Sequence, residues 1–178
     1  MEYKYRKNPR LRNYDYSSDG TYFITICTKD RQQILWEYPT VGRDDEDRKR
    51  STCTPLPCTK VPLSYKGRII EKYINTISQN YANLSVDKYV IMPDHIHILL
   101  SLRNTGERRA ESSRPTYVSQ IIGVLKRLAN KEIGENIFQT SFYDHIVCSK
   151  DEYESICNYI ETNPQKLIEP QVSEVQML

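Results

Sequence analysis

Residues 89–102 read YVIMPDHIHILLSL, two apolar runs broken only by Pro93-Asp94. Proline presets the backbone for a turn and aspartate tolerates one, so the pair marks a tight hairpin between strands at 85–92 and 95–102. Side chains alternate along a strand with a period of two. Ile96, Ile98, Leu100 and Leu102 therefore share one face, which reads as core. His95, His97 and Leu99 share the other, which reads as the outward side. The chain has only three histidines, and two of them stand here. Positions two apart lie about 6.5–7 Å apart along a strand, a spacing from which two imidazoles can lean onto one metal ion. Two solvated histidines without a role are the alternative.

Working outward, TYFITICT (21–28) is β-rich and bounded by Gly20, which predicts a strand. In YKGRIIEKYINTISQN (65–80), Ile69, Ile70, Tyr73, Ile74 and Ile77 recur at helical spacing. Residues 116–134 repeat the pattern with Val118, Ile121, Ile122, Leu125 and Leu128, and Gly134 is the expected stop. SFYDHIVCS (141–149) predicts a further strand, with His145 read as a hydrogen-bonded structural residue. A last helix opens with a capping box, Ser149 and Glu152, and should end at Asn163 because Pro164 disfavours the helical region for the residue before it. The order strand, helix, strand, strand, helix, strand, helix contains the split βαβ pattern of an α+β, ferredoxin-like antiparallel sheet. Helices packed on one face would leave the other for a ligand. Residues 38–62, with four prolines and no period, read as an irregular insertion within a single domain spanning 1–178, and 168–178 as a tail.

In the last helix Tyr153, Ile156, Cys157 and Ile160 form the stripe that must face the sheet. Tyr159 falls about 110° to one flank at about 100° per residue, and Asn163 follows one turn later on the same flank. A phenol and a carboxamide thus emerge together.

Composition narrows the class less. The formal net charge is only +2, so positive charge matters locally. Lys7, Arg10 and Arg12 lie in one basic run, Arg108 and Arg109 in a second, and Lys126 and Arg127 on the second long helix. Each can meet phosphates, and a solvated face explains each equally well. Fourteen tyrosines against three phenylalanines suit base stacking, interfaces or half-buried strands alike. Five cysteines, an odd number, with a charged N-terminus and no apolar run near membrane-span length, point to a soluble, reducing, cytoplasmic setting. Cys53 and Cys58 are the only close pair, and no second pair completes a zinc site around them.

YVIMPDHIHILL, SFYDHIV and YIETNPQK, in this order and at these intervals, resemble the signature segments of REP-associated tyrosine transposases. These belong to the single-tyrosine HUH family, which includes insertion-sequence transposases. RLRNYDYSSDGTYFITICTKDR (10–31) is similar to their usual opening, and the likeness runs over residues 8–168 apart from 38–62. The resemblance implies that His95 and His97 are metal ligands, that Tyr159 is the nucleophile and that Asn163 completes the metal site. It implies a divalent ion, magnesium or manganese, and imidazole ligation favours manganese. It also implies single-stranded or hairpin DNA as partner, and a monomer or a homodimer, since relatives of both kinds exist. The chain departs from the pattern in four places. Asp94 stands where asparagine is common, Phe138 where tryptophan is, Cys148 where a basic residue is, and the insertion has no counterpart.

Such a protein is a metal-dependent single-stranded DNA endonuclease and strand transferase. A phenol ionises near pH 10 and is a poor nucleophile at neutrality, so a Lewis acid on the scissile phosphate would be needed for Tyr159 to form a 5′-phosphotyrosine. Retention of all four groups puts this reading first. A binding module of the same fold that has lost cleavage, and a small zinc protein using His95, His97 and Cys53 or Cys58, are the other two.

Overall fold

The computed structural model describes residues 19–37, 62–103 and 118–168. Lys7, Arg10, Arg12, Cys53, Cys58, Arg108, Arg109 and all but Pro62 of the 38–62 insertion lie outside those residues, as does the tail beyond 168.

The elements are β1 (Gly20–Cys27), α1 (Tyr65–Asn80), β2 (Leu84–Ile91), β3 (His95–Leu102), α2 (Val118–Ile133), β4 (Tyr143–Val147) and α3 (Lys150–Ile168). The four strands form one antiparallel sheet in the order β2-β3-β1-β4. This is the α+β architecture expected, with β3 and β1 at the centre. Tyr22, Ile24 and Ile26 of β1 lie opposite Leu100, Ile98 and Ile96 of β3, and all six are fully buried. Ile69, Ile70, Ile74 and Ile77 of α1 and Val118, Ile121, Ile122 and Leu125 of α2 close the core over them. Ala129, not Leu128, continues the α2 stripe, one turn beyond Leu125. Gly134 ends the helix at φ 86°, a conformation that only glycine adopts freely.

The second face of the sheet departs from the pattern in which helices pack on one face alone. It is not left open, because α3 lies over it while α1 and α2 take the aliphatic face. Leu99 is 0 %, His97 6 % and Ser101 7 % exposed, so β3 is buried on both sides. A bulge in β2 serves this arrangement. Val86 pairs with Leu100 but Lys88 pairs with Leu99, which leaves Asp87 as the extra residue. Asp87 and Lys88 then both reach α3, one to the Tyr153 hydroxyl and the other to the Glu161 carboxylate. A bulge re-aims side chains in this way because two residues oppose one.

Helix α3 also runs through Pro164 to Ile168 and does not end at Asn163. Proline removes one helical N–H, and its ring disfavours helix at the preceding residue. Those are local losses. A helix already wound from Lys150 carries them, and the added turn presents an exposed Leu167 to solvent. No helix among the described residues is long and apolar enough to cross a membrane.

The start of α1 fixes how the sheet meets residues 34–36. Ser64 caps the helix by accepting the Gly67 N–H at 3.1 Å and donates to the Ile34 carbonyl at 2.7 Å. A β-carbon on Gly67 would stand 2.3 Å from the Leu35 carbonyl oxygen and 3.1 Å from Leu63 Cβ. Alanine is the better helix former by about 1 kcal/mol, yet here a backbone carbonyl would have to yield. Gly67→Ala is therefore expected to destabilise by about 1–3 kcal/mol, checked by urea denaturation.

Candidate active site

The pairing of β1 with β3 sets Thr25 opposite His97, Cys27 opposite His95 and Phe23 opposite Leu99, all on the face that α3 covers. The two histidine rings lie 4.7 Å apart between centroids and nearly perpendicular, at 75°. Phe23 stacks on His97 with centroids 5.1 Å apart, and Tyr159 meets both rings edge-on. The Tyr159 hydroxyl lies 3.3 Å from His97 Nε2, although the tyrosine as a whole is 41 % exposed. A buried imidazole nitrogen and a solvent-reachable phenol therefore address one point.

Each histidine has a partner on Nδ1. His97 Nδ1 lies 2.9 Å from Thr25 Oγ1, and His95 Nδ1 lies 2.5 Å from Asp94 Oδ1. A carboxylate accepts only, so His95 carries a proton on Nδ1. With Thr25 as acceptor, His97 does the same. Groups that fix Nδ1 in this manner are the usual supports of metal-ligating histidines. Burial, then the proximity of His95 and Arg31, lowers the His97 pKa to about 4, so the ring is neutral at pH 7.

Asn163 follows Tyr159 by one turn, as expected. Its Nδ2 is shut off from solvent and has no partner among the described residues. The two ends of a carboxamide are assigned and not observed, so its oxygen can take the same place. A buried amide without a partner calls for one. Imidazoles, a carboxamide and a phenolic oxygen are donor types that suit a divalent ion of intermediate hardness. Among the described residues no group of three or more His, Cys, Asp or Glu converges.

The proposed phosphate contacts fare differently. Helix α2 packs on the aliphatic face, so Lys126 and Arg127 are not among the side chains facing the histidines. The Lys126 ammonium donates to the carbonyls of Gln139 and Ser141, each at 2.9 Å, and burial lowers its pKa to about 8. It braces the segment leading into β4. Arg127 is exposed and lines an open concavity of about 650 Å³ with Lys131. His145 is hydrogen-bonded, as expected, with Nε2 2.5 Å from Glu152 Oε1.

Three participants were not singled out in the sequence. Phe23 and Thr25 alternate with the core residues of β1, so period two places them on the second face, but nothing local pairs them with His97. Arg31 pairs with Asp94, with Nη1 3.3 Å from Oδ2. Both partners lie beyond the reach of a single-strand pattern.

No family model matches the chain. An uncharacterised protein of Haemophilus influenzae is 25% identical over 178 residues, covering 90% of this chain and 88% of that protein. Among solved structures, a REP-associated tyrosine transposase bound to a REP hairpin superposes with a TM-score of 0.57 at 19% identity, covering 89% of this chain and 73% of that one. A Deinococcus radiodurans R1 protein described provisionally as a transposase gives a TM-score of 0.44 at 16% identity, over 86% of this chain and 95% of that one. At 19% identity, what this chain shares with the hairpin-bound transposase is the fold.

The first turn of α3 is tied to the end of β4 through a carboxylate. Glu152 accepts the Cys148 N–H at 2.7 Å and faces His145, and these two contacts, in that order, lower its pKa from 4.5. A depressed carboxyl contributes stability above its unfolded pKa and loses it as pH falls through the folded value. Denaturation midpoints measured from pH 6 to pH 3 are therefore expected to fall more steeply below pH 4.5 in the wild type than in Glu152→Gln.

Proposed function

We propose that the protein is a divalent-metal-dependent single-stranded DNA endonuclease and strand transferase with Tyr159 as nucleophile. The observation that carries this reading is the Tyr159 hydroxyl 3.3 Å from Nε2 of a buried, neutral histidine whose other nitrogen is already engaged. His95, His97 and Asn163 would hold magnesium or manganese, and the bound ion would withdraw charge from the scissile phosphate. The chain's own residues do the rest. Thr25 and Asp94 each engage one ring at Nδ1, Phe23 stacks on His97, and α3 carries the phenol to His97 Nε2. Tyr159 attacks phosphorus, the bond to the 3′-oxygen breaks, and the DNA leaves a free 3′-hydroxyl and a 5′-phosphotyrosine. The bond energy is kept, so a 3′-hydroxyl can reverse the step and join strands.

Hairpin-bearing DNA is the substrate class we infer, supported by the fold neighbour, which is bound to a REP hairpin. The exposed face of Tyr159 also leaves room for a single strand to approach.

Tyr159→Phe removes one hydroxyl and little else. On a labelled single-stranded hairpin library with manganese, the wild type is expected to cut and to carry a covalent 5′-DNA adduct, with both lost in the variant. Binding without cutting by either protein would make the fold a binding module, and equal cutting by both would place the nucleophile elsewhere. Thr25→Val leaves His97 Nδ1 without its partner, and manganese affinity measured calorimetrically is expected to fall about 10–100-fold.

A further inference from the structure

We infer that Arg31 is a positioning residue for the metal-ligating face of His95, acting through Asp94; this rests on the reading of His95 as a ligand. Asp94 spends both carboxylate oxygens in opposite directions, with Oδ1 2.5 Å from His95 Nδ1 and Oδ2 3.3 Å from Arg31 Nη1. A carboxylate held at one oxygen still turns about its terminal torsion. Held at both, it defines the plane of the imidazole it supports.

The backbone around the pair is built for the same end. Thr28 donates both its N–H and its hydroxyl to the Asp94 carbonyl, each at 2.9 Å. The Leu35 N–H takes the Pro93 carbonyl at 3.0 Å, and Trp36 Nε1 takes the Ile91 carbonyl at 2.7 Å. The segment leaving β1 thus clasps the turn that opens β3. Within it Asp30 and Arg31 adopt φ of 54° and 56°. Consecutive left-handed residues without glycine are unfavourable, and such conformations persist where surrounding structure demands them.

The Arg31–Asp94 side-chain pair adds little to stability. The Arg31 side chain is 53% exposed, and an ion pair so open to water contributes little to folding. The pairing also accounts for the departure at position 94. An aspartate there adds a negative charge beside His95 that an asparagine would not, and Arg31 both balances it and directs it.

The full chain tests this with manganese as the probe. Arg31→Met, Asp94→Asn and the double variant are compared by calorimetric manganese titration, by nitrogen NMR of the histidine rings without metal, and by thermal melting. Arg31→Met is expected to weaken manganese binding about tenfold, at the low end for groups that orient ligands. It should also shift the His95 ring nitrogens and leave the melting temperature unchanged. In the Asp94→Asn background the same substitution should no longer shift the His95 ring nitrogens, because its orienting action passes through the carboxylate. Wild-type affinity and His95 resonances in Arg31→Met would overturn the inference, as would equal shifts in both backgrounds. Should the wild type bind no manganese, the metal reading falls, and the metal-free His95 resonances still decide whether Arg31 positions that ring.

Discussion

Strand β3 is buried on both faces, and the remaining structure follows from that constraint. One face is aliphatic and closes an ordinary core between the sheet and two helices. The other carries His95, His97, Leu99 and Ser101, and polar groups removed from water need partners. Thr25 and Thr21 of β1 supply two of them, bonding His97 and Ser101 across the strand pair. Asp94 supplies a third from within the turn. What makes the histidines chemically distinct is thus a matter of register: β1 opposite β3 with Thr25 against His97. A slip of one residue would send every one of these side chains to the opposite face.

Helix α3 is held over this face by contacts spread along its length. Glu152 ties its first turn to the end of β4, Tyr153 and Glu161 meet the bulged pair Asp87 and Lys88, and Tyr159 meets His97. Only Ile160 of its side chains is fully buried among the described residues. Tyr153, Ile156 and Cys157 beside it are half-buried, so the expected stripe does face the sheet. Asp87 is central to the polar contacts. It also receives the hydroxyls of Ser85 and Ser101, at 2.7 and 2.5 Å, so the bulge that re-aims it is built into the sheet. The position of the tyrosine depends on a strand irregularity in β2, with three elements between it and α3 in sequence.

The basic residues show how charge misleads when read along a chain. Lys126 and Arg127 are neighbours on α2 and equal candidates by sequence. Folding makes one a brace for the backbone at 139–141 and leaves the other in an open concavity on the far side of the sheet from the histidines. Arg31, not proposed as a site residue from the sequence, pairs with Asp94 beside His95.

By itself the sequence determined the strands, the helices and their inward faces, because those depend on periodicity and on local turn and cap chemistry. The hairpin at Pro93-Asp94, the start of α1 and the glycine stop of α2 are all local events. The pairing of His95 with His97, and of Tyr159 with Asn163, was legible for the same reason, since each pair lies within one element. Only tertiary structure decided that Thr25, Phe23 and Arg31 complete the constellation. Those outcomes rest on hydrogen bonds and burial between segments 60 or more residues apart, such as Thr25 with His97 and Arg31 with Asp94. No period or propensity in either segment encodes its partner.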